Sequence, residues 1–314
     1  MYHPYFRGKQ YELITIREMA PVMKSAKFRP IIEPVKEGLS GLHRTLKTLA
    51  DLGGEAVVIV NPNYGDHAED GTAIKELLNE EFHELPTIAA GILLEPGTTF
   101  DQAWSLYEEY DAHFPVFIHA GFADVQSLAK ELGRPTKDHC HIFLARACGK
   151  LYQNQFKGSR RVLLKDGFNR RRNADYNPVE QFSDLHVIFE DEGMTGFGDF
   201  LIVGDDYSET GGPAYAVAIH LTYIDPDKFD EMLIHHFVSD TQDTPKDPAG
   251  KFGEALAKMM KVLQKPNCKI LETRAVKEYR KLFKEGHFPG LGYVKKLSMN
   301  HHIETLADYF KSKA

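Results

Sequence analysis

Cysteine is scarce in this chain: Cys140, Cys148 and Cys268 are the only three, odd in number and without CxxC spacing. That excludes a disulfide framework and a zinc ribbon, and buried thiols in a reducing cytoplasm are the expectation. Long apolar runs are missing too. "GEAVVIV" and "AYAVAI" are far too short to span a bilayer. The opening "MYHPYFRGKQ" has no apolar signal core, so no membrane contact is expected. An excess of positive charge is also lacking. With 38 basic against 45 acidic residues the net charge is −7, which disfavours general nucleic-acid binding but leaves room for a local basic pocket. There is no internal repeat, no low-complexity tract and no glycine-rich dinucleotide fingerprint after the first strand.

What is present is rhythm. Short apolar segments predict strands at Tyr2–Phe6, Phe28–Glu33, Ala56–Val60, Thr87–Leu94, Val116–His119, His141–Leu144 and Arg161–Leu164, with an eighth at Phe200–Val203. Amphipathic stretches lie between them. In "GLHRTLKTLADLGG", Leu42, Leu46 and Leu49 recur at helical spacing before Gly53 and Gly54, and "KQYELITIREMAPVM" follows the first strand as a helix. One strand–helix unit every 25–30 residues, with strands apolar on both faces, is the pattern of a parallel sheet. The fold class expected is α/β, a TIM-like (β/α)8 barrel; a doubly wound open sheet is the alternative.

After Lys165 the rhythm breaks. "AYAVAIHLTYID" alternates and could pair with "EMLIHHFVSD" across "PDKFD", a β-hairpin expected as an insertion over 206–240 in a single 1–314 domain. If Tyr223 faces Met232, His220 lies opposite His235; a slip of one residue substitutes His236. Helices are expected at 249–263 and 271–284, with a last one capped by Asn300.

In a barrel, the residues that end the strands share one face, and that face carries the active site. In chain order they are Arg7 and Lys9, Glu33 and Lys36, Asn61, Glu95, His119, Arg146, then Lys165 and Asp166, with Asp199 or Asp205 beside the eighth strand. The cations suit a phosphate or carboxylate. Glu33, Glu95, Asp166 and Asp199 could bind a hard divalent cation, Mg or Mn. Glu33 and Asp166 would hold that cation or act as base, and His119 would transfer a proton. His139 and His141, two apart on one strand face, make a weak metal pair. "DPAGKFGEAL" sets a lysine at a helix start, where anions are favoured. The glycines of "GFGDFLIVGDDYSETGGP" read as turns or as a close backbone approach to a ligand.

The phrases "YFRGKQYEL", "RPIIEPVK" and "NHHIETL" resemble the beta-protein family of bacteria and phages. "GFGDF", "GGPAYAVAIHLTY", "HHFVSD" and "HFPGLGYVKKLS" are similar to one bacterial branch of it. The resemblance implies a barrel without an assigned reaction and a nuclease-like neighbour, hence a role in phage defence. The family pattern falls on Lys9, Glu33, Asp199 and His302. Two functions follow as expectations. One is an enzyme that cleaves phosphoesters in a phosphate-bearing small molecule or nucleic acid. The other is a non-catalytic sensor that controls the nuclease-like neighbour through the hairpin at His220 and His235.

Overall fold

The computed structural model describes residues 1–314 apart from 84, 134–138, 210–214 and 314. They form two compact units: Met1–Lys165 with Ile188–Phe200, and Asp166–Val187 with Leu201–Ala314. The first is the barrel. Its strands are β1 (Tyr5–Phe6), β2 (Ile31–Ile32), β3 (Ala56–Ile59), β4 (Ile88–Leu94), β5 (Val116–His119), β6 (Cys140–Leu144) and β7 (Arg160–Leu164). After β8 (Val179–Ser183), which belongs to the second unit, β9 (Gly196–Gly198) adds the eighth parallel strand. Neighbours pair in sequence order, and the ring shuts where His3 N–H donates to Phe197 O at 2.8 Å and Tyr5 N–H to Asp199 O at 2.9 Å.

The strands are buried on both faces, as their unbroken apolar runs require. Alternate side chains fill the interior: Tyr5, Ile31, Val57, Ile59, Ala89, Leu93, Ile118, Ile142 and Leu164 belong to one core. Gly91 leaves the space that Val57, Ile59 and Ile118 occupy, because a Cβ there would lie 2.8 Å from Val57 Cγ1. Outside run α1 (Gln10–Ala26), α2 (Ser40–Asp51), α3 (Thr72–Glu81), α4 (Phe100–Glu109) and α5 (Val125–Glu131), and a single turn, α6 (Lys150–Gln153); another single turn, α7 (Leu185–Ile188), follows β8 in the chain. Thr99 and Gln102 close a capping box at the start of α4. No helix among the described residues is long and apolar enough to cross a membrane.

One strand differs from expectation. Phe200–Val203 is not the eighth strand: Leu201 has φ 50°, and the ladder ends at Gly198. The glycines of "GFGDF" make that ladder possible, since a Cβ on Gly198 would overlap His3 O and Leu164 Cδ2. Gly211 and Gly212, also expected in turns, lie outside the described residues.

The second unit has its own sheet, in the order β10 (Ala218–Asp225), β11 (Glu231–Val238), β8, and its own core with α8 (Pro248–Leu263), α9 (Arg274–Glu285) and α10 (Leu291–Lys313). The hairpin is antiparallel as expected, but its register differs. The five-residue turn places Asp225 opposite Glu231, so Tyr223 meets Leu233 and His220 meets His236. Asn300 does not cap the last helix. The chain enters α10 after Gly290 (φ 91°), which leaves Asn300, His301 and His302 buried mid-helix. There His302 Nδ1 lies 2.9 Å from Thr222 Oγ1, and His301 joins Thr222 O at 2.7 Å and Thr273 Oγ1 at 2.8 Å. These bonds fasten α10 to β10 and α9.

Candidate functional site

The strand-exit residues sort by parity. In each strand the residue two after an inward side chain also points inward. Ile31 is inward, and so is Glu33. Tyr5 is inward, and so is Arg7. Leu93 leads to Glu95 and Ile59 to Asn61. The inward set builds one site at the carboxyl ends of β1–β4.

Glu33 is fully buried there. Its Oε2 accepts from Tyr5 Oη at 2.8 Å and pairs with the Arg7 guanidinium, while Oε1 accepts from Asn63 N–H at 3.0 Å. A buried carboxylate tolerates its desolvation only with such partners. Arg7 is in turn enclosed by the rings of Tyr5, Tyr64 and Phe200, 4.9–5.7 Å from its guanidinium carbon. Glu12 on α1 accepts the Arg7 backbone N–H at 2.6 Å.

Glu95 differs from Glu33. It is half-buried and fixed by a turn with Thr98, whose hydroxyl accepts the Glu95 N–H at 3.1 Å. Burial raises its pKa first, and the neighbouring Glu33 charge raises it further; Arg146 and Arg7 act in the opposite direction. Asn61 lies across β4, giving its amide N–H to Leu93 O and accepting Leu93 N–H, both at 2.8 Å. It extends the ladder as a side chain and keeps one N–H and one lone pair in reserve. Beside it opens a cleft of about 560 Å³, lined by Asn61, Thr98, Asp101, Gln102, Ser105 and Leu106.

Other expected residues lie elsewhere. His119 faces outward into the layer between sheet and helices. Its Nδ1 is 2.9 Å from Tyr152 Oη and its Nε2 3.0 Å from His141 Nδ1, with Phe143 and Phe156 packed against the ring. Burial alone lowers its pKa to about 3. The structure does not bring it to the mouth, and His141 is bonded to His119 rather than set with His139 as a metal pair. Asp199 is buried and accepts from Tyr2 Oη at 2.7 Å. Lys9 caps α1. Lys36, Arg146 and Lys165 are exposed, the last with its backbone N–H on Gly198 O at 3.0 Å.

Asp166 belongs to the second unit, where its two oxygens accept from Phe168 and Asp205 N–H at 2.8 and 2.7 Å. His220 is paired with His236 instead of His235, and His235 stacks on Phe237 with ring centres 4.2 Å apart. His302 is a buried partner of Thr222. The helix start in "DPAGKFGEAL" is capped by its own Asp247, and Lys251 is buried on Thr244 O. Among the described residues no group of three or more His, Cys, Asp or Glu gathers in a way that could hold a metal ion.

Tyr5, Asn63 and Tyr64 are the mouth residues that sequence reasoning passed over. Parity along β1 would have found Tyr5, two before Arg7. The loop residues carried no comparable signal. No protein-family model matches this chain, and no curated protein sequence is similar to it.

Proposed function

We propose that the barrel mouth binds an anionic, phosphate-bearing ligand and performs proton transfer on it, with phosphoester hydrolysis as the reaction class to test first. Glu95 carries this reading. A half-buried carboxylate whose proton affinity is raised, placed beside a fixed ion pair and within the field of Arg146, suits a general acid. Glu33 takes a different role from the base expected of it: three donors occupy its carboxylate oxygens, so it positions Arg7 and Tyr5. Arg146, with Lys9, Lys36 and Lys165 at neighbouring strand exits, supplies the charge that an anion needs. A hard divalent cation, Mg or Mn, would be carried by the ligand's own phosphate oxygens, because Glu95 keeps its proton as the acid. Purified protein with Mg or Mn should turn over nucleotides or nucleic-acid ends, and Glu95→Gln should abolish turnover. If no phosphoester is cleaved and Arg146→Ala leaves phosphate affinity unchanged, the reading fails.

A second reading rests on Phe229. It is 96% exposed at the hairpin tip, and its φ of 57° holds it in the left-handed region. An aromatic ring displayed on a tight turn suits a protein-docking contact. In the phage-defence setting that the family resemblance implies, the partner would be the nuclease-like neighbour. Co-purification lost in Phe229→Ser and kept in Glu95→Gln would favour this reading over the enzymatic one.

A further inference from the structure

The second unit contains a line of acid–base groups of its own. The β10–β11 register sets His220 against His236, with their Nδ1 atoms 2.7 Å apart. Two lone pairs would repel at that distance, so one Nδ1 carries a proton. At the other edge of His236, Nε2 is buried with no hydrogen-bond partner, and Glu180 Oε2 lies 3.7 Å away. Glu180 is held in place by Arg171 at 3.0 Å and Asn177 at 2.8 Å.

The carboxylate decides the tautomers. It accepts and does not donate, so its field favours the proton on His236 Nε2. His236 Nδ1 is then the acceptor and His220 Nδ1 the donor. That leaves a lone pair on His220 Nε2, which has no hydrogen-bond partner among the described residues. His220 is partly exposed. Phe168 and Tyr176 pack on both imidazoles, and the Tyr176 ring stacks on His236 with centres 4.4 Å apart. The other charged and titratable groups acting on the pair are Arg171, Lys295 and His235.

We propose that Glu180, His236 and His220 form a proton relay, with His220 Nε2 as its outward general base for a hydroxyl-bearing anionic ligand. The ligand O–H gives its proton to His220 Nε2 and becomes an alkoxide. His220 passes its Nδ1 proton to His236 Nδ1. His220 ends neutral with the proton on Nε2, and His236 becomes an imidazolium facing Glu180. The positive charges of Lys295 and Arg171 favour an anion as ligand. Both imidazoles stay neutral at pH 7 because burial lowers their pKa values, that of His236 to about 4.

Two-bond proton–nitrogen NMR on the full chain at pH 7 reads the tautomers directly. His236 should carry its proton on Nε2 and His220 on Nδ1, and Glu180→Gln should mix the His236 tautomers. Diethyl pyrocarbonate, located by mass spectrometry, should acylate His220. That rate should fall by roughly tenfold in His236→Phe and by a smaller factor in Glu180→Gln. A proton on His220 Nε2 in the wild type overturns the proposal, as does His220 reactivity unchanged in Glu180→Gln. Should His236→Phe not fold, the wild-type spectrum and Glu180→Gln decide.

Discussion

The Arg7 guanidinium and the Glu33 carboxylate pair on the inner face of the barrel, at the ends of adjacent strands, with both side chains buried. Removing one partner leaves the other charged in a dry site. Arg7→Met should cost about 3–5 kcal/mol in urea unfolding, and adding Glu33→Met should recover much of it. A single variant within ~0.5 kcal/mol of wild type would mean that water reaches the pair.

Glu95 should leave a signature in the pH dependence of stability. Its carboxyl group binds a proton more tightly folded than unfolded, because of burial and then Glu33. The stability it contributes is therefore complete below the ordinary value of 4.5 and is lost as pH rises through the higher folded value. Glu95→Gln does not titrate. Its advantage over wild type should grow from nothing at low pH to ~0.3–0.5 kcal/mol near neutrality, a figure reduced for partial exposure. Denaturant titrations at pH 4 and 7.5 measure the difference.

His119 predicts the opposite slope. Folded, it stays neutral down to about pH 3; unfolded, it protonates near its ordinary 6.5. Its contribution is present above pH 6.5 and is lost as pH falls from there toward 3, at up to ~1.4 kcal/mol per pH unit. His119→Phe should flatten this loss. At pH 7 it should cost about 1–3 kcal/mol for each orphaned partner, Tyr152 Oη and His141 Nδ1. Thermal melts at pH 7 and 5 compare the two chains.

The barrel seam has its own test. Gly198→Ala sets a methyl group onto His3 O and Leu164 Cδ2, where β9 meets its neighbours. A loss above ~3 kcal/mol is expected, because two strands must shift together. Gly97→Ala, with open space around it, should be nearly silent.

The barrel was legible because apolar runs with charged exits recur at even intervals. Val116–His119 matches to the residue, and the other six assigned strands differ by a few residues at their ends. The eighth was not, because a strand of two glycines and one phenylalanine has no hydrophobic run to detect. The mouth was legible in part. The strand-exit rule gathered Arg7, Glu33, Asn61 and Glu95, but it also gathered His119, which alternation turns outward beside inward Ile118. The hairpin partner turned on a single residue of register, fixed by the left-handed turn at Phe229 and Asp230 rather than by the strands.

The order in which the strands leave the ribosome has a consequence. Seven are made by residue 164, yet the seam needs Gly196–Gly198, after a 22-residue excursion, Asp166–Val187, that belongs to the other unit. Until that stretch has been synthesised, the nascent sheet exposes two bare parallel edges, β1 and β7, each a template for a foreign strand. Chaperone demand should peak in that interval and fall once Phe200 has left the ribosome.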